Sequence, residues 1–135
     1  DNKPLLLLPS DKLYYLASPY TAHVKSKKLA AKIQQQRYKE VSMLAARLIK
    51  ERQLKLVLPI TTSHALRKFD KTLGNGWDEW STLDTELVSR ADVLLVAALP
   101  GYEKSIGVKE EIRVAQRLGK PVLCIDALTL AVWRY

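Results

Sequence analysis

The chain has 135 residues, with 22 Lys and Arg against 14 Asp and Glu, a net charge of +8 and 47% hydrophobic residues. That length supports one domain with one core, and the composition excludes a disordered, collagenous or membrane-spanning protein. A single cysteine, Cys124, excludes an internal disulfide and a cysteine-rich metal site.

The basic balance favours an anionic partner such as a nucleotide or nucleic acid. A solvated surface explains it equally well, because Lys25, Lys27, Lys28 and Lys32 fall in one polar stretch. The apolar run at residues 5–8 is far too short to span a bilayer. It also lacks the length and cleavage site of a signal peptide. Residue 1 is not Met and is read as a processing boundary, and the expected location is cytoplasmic.

Residues 1–12 are expected to form an N-terminal arm, either loose or added at a sheet edge, ahead of a domain at 13–135. Residues 13–17 (LYYLA) read as a strand ended by Ser18-Pro19, since proline stops strands. A polar loop follows. Residues 29–52 then read as a long helix, with Ile33, Arg37, Val41, Leu44, Ala45, Leu48 and Ile49 in one stripe. Residues 54–58 form a second strand closed by Pro59, and 60–76 read as irregular with a Gly74-Asn75-Gly76 turn. Residues 77–90 predict a helix with Trp80, Leu83, Leu87 and Val88 on one face. Residues 92–99 form a strand without alternation, which implies burial on both faces. After a turn at Pro100-Gly101-Tyr102, residues 105–118 predict a helix ended by Gly119 and Pro121. On it Val108, Ile112, Ala115 and Leu118 should face the sheet. Residues 122–125 are a further strand that buries Cys124 as a structural thiol, and 128–135 a last helix or strand. Strands alternating with helices imply a parallel sheet, and ligands of such sheets bind beyond the carboxyl ends of the strands.

Several residues with useful chemistry fall at those ends. Ser105 and Gly107 open a helix whose first N–H groups have no internal partner and attract anions. Glu111 lies one to two turns in, where a phosphate alone needs no acid. Tyr15, Ser18, Tyr20 and Thr21 put hydroxyls around the first strand end. Taken locally, a turn rich in Ser and Pro with one core tyrosine is the favoured reading. Ser63-His64 follows the second strand, although a lone histidine is more often a surface group. Trp80 and Asp84 share a helix face, where a ring can stack on a base and an acid can hydrogen-bond it. A core tryptophan and a solvated aspartate explain the same pair. His23 and His64 have no carboxylate pattern beside them, so no metal site is expected.

The set Tyr15, Asp84 with Asp92, and Ser105-x-Gly107-x-x-x-Glu111 resembles the nucleoside 2-deoxyribosyltransferase superfamily. Serine at 105 is more similar to its 2′-deoxynucleoside 5′-monophosphate N-glycosidase branch. The wider pattern also resembles a small bacterial and phage family of unassigned function in that superfamily. It comprises Leu16-Ala17-Ser18-Pro19-Tyr20, Pro59-Ile60 with Ser63-His64, Trp77-x-x-Trp80, Gly101-Tyr102-Glu103 and Ser105-x-Gly107-Val108. The resemblance covers about residues 13–126. With the alternation of elements, it implies a single-domain α/β fold. The expected form is a flavodoxin-like or Rossmann-like three-layer sandwich with a mostly parallel sheet of four to five strands.

By this resemblance Glu111 matches the nucleophile, Asp84 the acid that serves the leaving base, and Tyr15 the group that orients the nucleophile. Ser105 and the N–H groups near Gly107 match the 5′-phosphate site, and Ser18, Tyr20, His64, Trp80 and Gly101 join the substrate-binding set. Ser18-Pro19-Tyr20 departs from the family's glycine–serine turn and arginine. The implied activity is hydrolysis or transfer at the N-glycosidic bond of a (deoxy)nucleoside or its 5′-monophosphate. It uses no cofactor or metal, and the chain is expected to form a homo-oligomer, dimer or tetramer. Glu111 should be ionised and Asp84 held protonated by burial. The alternatives are a non-catalytic nucleotide-binding or sensing module, and then a basic nucleic-acid-binding domain, supported by the +8 charge alone.

Overall fold

The structure, a computed structural model, describes residues 6–135. Strand and helix alternate along β1 (Leu13–Ala17), α1 (Lys27–Arg52), β2 (Lys55–Val57), α2 (Pro59–Arg67), α3 (Trp77–Arg90), β3 (Val93–Ala97), α4 (Ile106–Arg117), β4 (Val122–Ile125) and β5 (Val132–Arg134). The five strands form one sheet in the order β2-β1-β3-β4-β5. All neighbouring pairs are parallel except β4 with β5. This is the single-domain, doubly wound three-layer architecture expected, with the strand order of flavodoxin-like sheets. The first three parallel strands do not follow chain order across the sheet. β1 has β2 on one side and β3 on the other, with Tyr15 in register with both Val57 and Leu94. A crevice opens beyond the carboxyl ends of β1 and β3, where the connections diverge.

Alternation along the strands divides the core in two. Tyr14, Leu16, Leu95 and Ala97 pack on Val41, Leu44 and Leu48 of α1. Tyr15, Ala17, Leu94 and Val96 point the other way, onto Val88 of α3 and Val108, Ile112 and Ala115 of α4. Both faces of β3 are therefore buried, which explains its uninterrupted apolar sequence. Ser26 caps α1 by accepting the Leu29 N–H at 3.1 Å, and Gly119, at φ +70°, lies just past the end of α4. The region 128–135 resolves as strand β5, entered through a turn in which Asp126 Oδ1 accepts the Leu128 and Thr129 N–H groups, each at 2.8 Å. Ahead of β1, the Leu6 N–H donates to the Val132 carbonyl at 2.9 Å, and Leu6 and Leu8 pack against the core. The expected arm at 1–12 is otherwise covered only from residue 6, its first five positions lying outside the described residues. No helix among the described residues is long and apolar enough to cross a membrane.

Three expectations are corrected. Residues 59–67 are helical, not irregular. Pro59 does close β2, but its fixed φ and missing N–H also suit the first position of a helix. None of the nine residues of α2 is buried, so no apolar period announces it. Ile49 and Leu118 were placed on buried stripes, yet they are 55% and 46% exposed. Each lies in or just after the last turn of its helix, where the stripe runs off the edge of the sheet. Replacing Leu95, fully buried on the central strand, by Ala should cost about 2–5 kcal/mol. Leu118→Ala should stay within about 0.5 kcal/mol. Urea unfolding of both variants measures the difference.

Candidate active site

Helix α4 carries the central carboxyl into the fold. Ser105 caps it, its Oγ accepting the Val108 N–H at 3.2 Å and its carbonyl accepting the Lys109 N–H at 3.1 Å. That cap fixes the start of the helix, and so the direction of each later side chain. Val108, Ile112 and Ala115 bury against the sheet and take Glu111 with them, leaving Glu111 only 7% exposed. There the Tyr15 hydroxyl, on the α4-facing side of β1, donates to Glu111 Oε2.

Above this pair is a cavity of about 290 Å³, at the small end of the range for small-molecule sites. Ser18 and Tyr20 line it from the end of β1, and Ile60 and Ser63 from α2. Trp77, Trp80 and Asp84 line it from α3, and Ser105, Gly107 and Glu111 from α4. The Trp80 indole N–H donates to the Gly74 carbonyl at 2.7 Å, which sets the ring as a wall. A Cβ on Gly107 would meet nothing closer than 3.9 Å, so the backbone there is open to a ligand. Two buried polar atoms of residues that line the cavity, Ser18 Oγ and Asp84 Oδ1, have no hydrogen-bond partner among the described residues. Buried polar groups are rarely left so, and a ligand's donors and acceptors would satisfy them. Among the described residues, no group of three or more His, Cys, Asp and Glu is arranged to hold a metal ion.

The electrostatics reverse one expectation. Burial pushes the Glu111 carboxyl up to about 8, against the Tyr15 hydrogen bond, and the Asp84 charge adds to the rise. Asp84 is raised by burial as well, but only to about 6. Near neutral pH, Glu111 therefore holds a proton and Asp84 is ionised. The opposite was expected because helix spacing does not reveal that Glu111 lies deeper. Interacting carboxyls lose their protons as a pair, so the site at pH 7 holds one proton over the two groups. Tyr15 is raised well above the ordinary phenol value, first by burial and then by Glu111, and stays a donor.

Two expected binding residues lie elsewhere. His64 does not line the cavity. Its Nδ1 is 2.5 Å from the Tyr20 hydroxyl and its Nε2 3.0 Å from Gln35 Oε1. An amide oxygen can only accept, so Nε2 carries the proton and Tyr20 donates to Nδ1. The His64 ring also stacks on Tyr38, with centroids 4.1 Å apart. Burial and the charges of Lys68 and Arg67 lower its pKa, which keeps the ring neutral and able to accept. His64 thus positions the cavity wall from behind. Gly101 likewise does not line the cavity. At φ +89° it turns the chain where a Cβ would come within 2.7 Å of the Arg37 guanidinium. That guanidinium donates to the Thr21 carbonyl at 2.7 Å and the Tyr20 carbonyl at 3.3 Å. Arg37 therefore holds the loop after β1 and lies against the loop after β3. Sequence reasoning counted it only as a stripe member, although a cation on an apolar stripe was the available signal.

The carboxyl shifts have a consequence for stability. Glu111 ordinarily titrates at 4.5 and in the fold at about 8. Between those values the unfolded chain has released this proton and the folded chain has kept it, so stability falls as pH rises through the window. Asp84 contributes in the same sense between 3.8 and about 6. Urea midpoints measured across pH should decline less steeply in Glu111→Gln, which removes the larger of the two titrations.

No curated protein matches the chain. Residues 12–127 match a family described as a domain of unknown function, DUF1937, and the match spans the sheet from β1 to β4 together with every residue of the cavity. The chain belongs to the DUF1937 family.

Proposed function

We propose that the chain cleaves the N-glycosidic bond of a (deoxy)nucleoside or its 5′-monophosphate, by hydrolysis or by transfer to an acceptor base, with Glu111 as nucleophile. The observation that carries this reading is the buried Glu111 carboxyl. It is held by the Tyr15 hydroxyl at the base of a cavity whose wall holds Asp84 with an unpartnered oxygen. The resemblance to the nucleoside 2-deoxyribosyltransferase superfamily is part of the same proposal and assigns these three residues the same roles.

The one-proton state of the pair suits both halves of the reaction. The Glu111 carboxylate adds to the anomeric carbon as the C–N bond breaks. The bonding electrons leave with the base, which takes up the pair's proton by way of Asp84. Water then attacks the glycosyl ester. Its hydroxyl stays on the sugar, its proton returns to Asp84, and Glu111 departs as carboxylate. A second base with an N–H in place of water gives transfer instead. Trp77 and Trp80 offer faces for the base, and Tyr15 keeps one Glu111 oxygen occupied so that the other can attack. A homo-oligomer and a cytoplasmic location belong to this reading, the latter supported by a lone cysteine that is buried.

One observation favours a second reading, a nucleotide-binding module without turnover. Burial leaves Glu111 protonated near neutral pH, and a protonated acid is no nucleophile. Incubation with nucleosides and their 5′-monophosphates, with chromatography for free base, separates the two. Glycosidic cleavage predicts base release that Glu111→Ala abolishes and Asp84→Asn lowers by about 10²–10⁴-fold. Saturable binding without release supports the module. Cleavage also predicts a bell-shaped kcat/KM profile, with limbs near the values of about 6 and about 8 for Asp84 and Glu111. Below the lower limb both carboxyls are protonated and no nucleophile remains. Above the upper limb both are ionised and no acid remains.

A further inference from the structure

We infer that the site selects the phosphate-free nucleoside over its 5′-monophosphate. The inference rests on the reading above and narrows its substrate class.

Its ground is the distribution of charge. The chain carries 22 Lys and Arg, yet no lysine or arginine among the described residues lines the cavity. The charged lining is acidic: Asp78 and Glu79 from the first turn of α3, Asp84 from its middle and Glu111 from α4. A second observation is independent of the lining. Among the described residues, no lysine or arginine offsets the rise of either buried carboxyl. Burial raises Asp84, and the group that lowers Glu111 is the neutral Tyr15 hydroxyl.

Ser105 and Gly107 remain as an anion seat, but a poor one. The Ser105 oxygen already accepts the Val108 N–H at 3.2 Å. Of the first N–H groups of α4, only those of Ile106 and Gly107 are left to a ligand, since Ser105 takes the next two. A phosphate dianion placed there would share a small, partly desolvated cavity with carboxylates, and among the described residues the only basic side chain in the lining is that of His23, with no lysine or arginine; like charges in such surroundings repel strongly. The Ser105 hydroxyl keeps its proton to donate. A neutral 5′-hydroxyl can accept that hydrogen bond, and the unpartnered Ser18 Oγ offers a second polar contact. The arginine absent from Ser18-Pro19-Tyr20 fits this selection. Of the cations beside the loop after β1, Arg37 is turned to the backbone carbonyls of Tyr20 and Thr21, and Arg67 approaches the Tyr20 hydroxyl without lining the cavity.

The test compares 2′-deoxynucleosides with their matched 5′-monophosphates in two measurements. One is base release by the unaltered protein; the other is calorimetric binding to Glu111→Gln, which needs no turnover. The inference predicts kcat/KM and affinity at least about tenfold higher for nucleosides. It also predicts that Glu79→Gln shifts the ratio several-fold towards the monophosphate. Equal or better use of monophosphates overturns it and leaves glycosidic cleavage standing. Nucleoside binding with the predicted preference but no base release supports the charge selection and overturns cleavage. Failure of both ligand classes to bind overturns both.

Discussion

The site depends on a carboxyl group buried where α4 meets β1. An acid in that position is costly to ionise, and the fold answers with a hydroxyl from Tyr15 rather than with a cation. The choice has chemical consequences. A lysine or arginine would have held Glu111 permanently ionised and tightly paired, a poor attacking group. A phenol orients one oxygen and leaves the proton affinity high, so the charge state of Glu111 responds to what fills the cavity. Asp84, less deeply buried, ends up with the lower affinity. Two groups of one chemical type thus hold unequal claims on one proton, which is the arrangement that acid–base chemistry at neutral pH requires.

Around that joint the cavity walls are fixed by partners that do not themselves line the cavity. Arg37 binds two carbonyls of the loop after β1 and lies against Gly101 of the loop after β3. His64 and Gln35 hold the Tyr20 hydroxyl from behind. Trp80 is pinned to the turn that precedes its own helix. The first two join separate elements and the third a helix to its own preceding turn, and each constrains a wall of the cavity. Catalytic and binding groups need such outer support, because a side chain free to change rotamer cannot hold a reactive geometry.

Charge is divided between surface and cavity. The basic excess of the chain lies outside the cavity, whose charged lining is acidic. The overall +8 therefore describes the outer surface and not the acidic lining of the cavity.

Much of the fold was legible in the sequence because apolar periodicity and turn residues are local signals. β1, α1, α3, β3, α4 and β4 all follow from such patterns. α2 was not legible, since a short helix with no buried residue carries no period. The residue types of the site, Tyr15, Asp84, Ser105, Gly107 and Glu111, were likewise readable as chemistry at strand ends and helix starts. Only the tertiary structure decided their relations. It set Tyr15 on Glu111, moved His64 and Gly101 behind the wall, gave Arg37 its task and made Glu111 the more basic carboxyl. These are matters of depth and of contact between distant segments. A sequence records which groups a chain owns; how much water each one loses is determined when the helices close on the sheet.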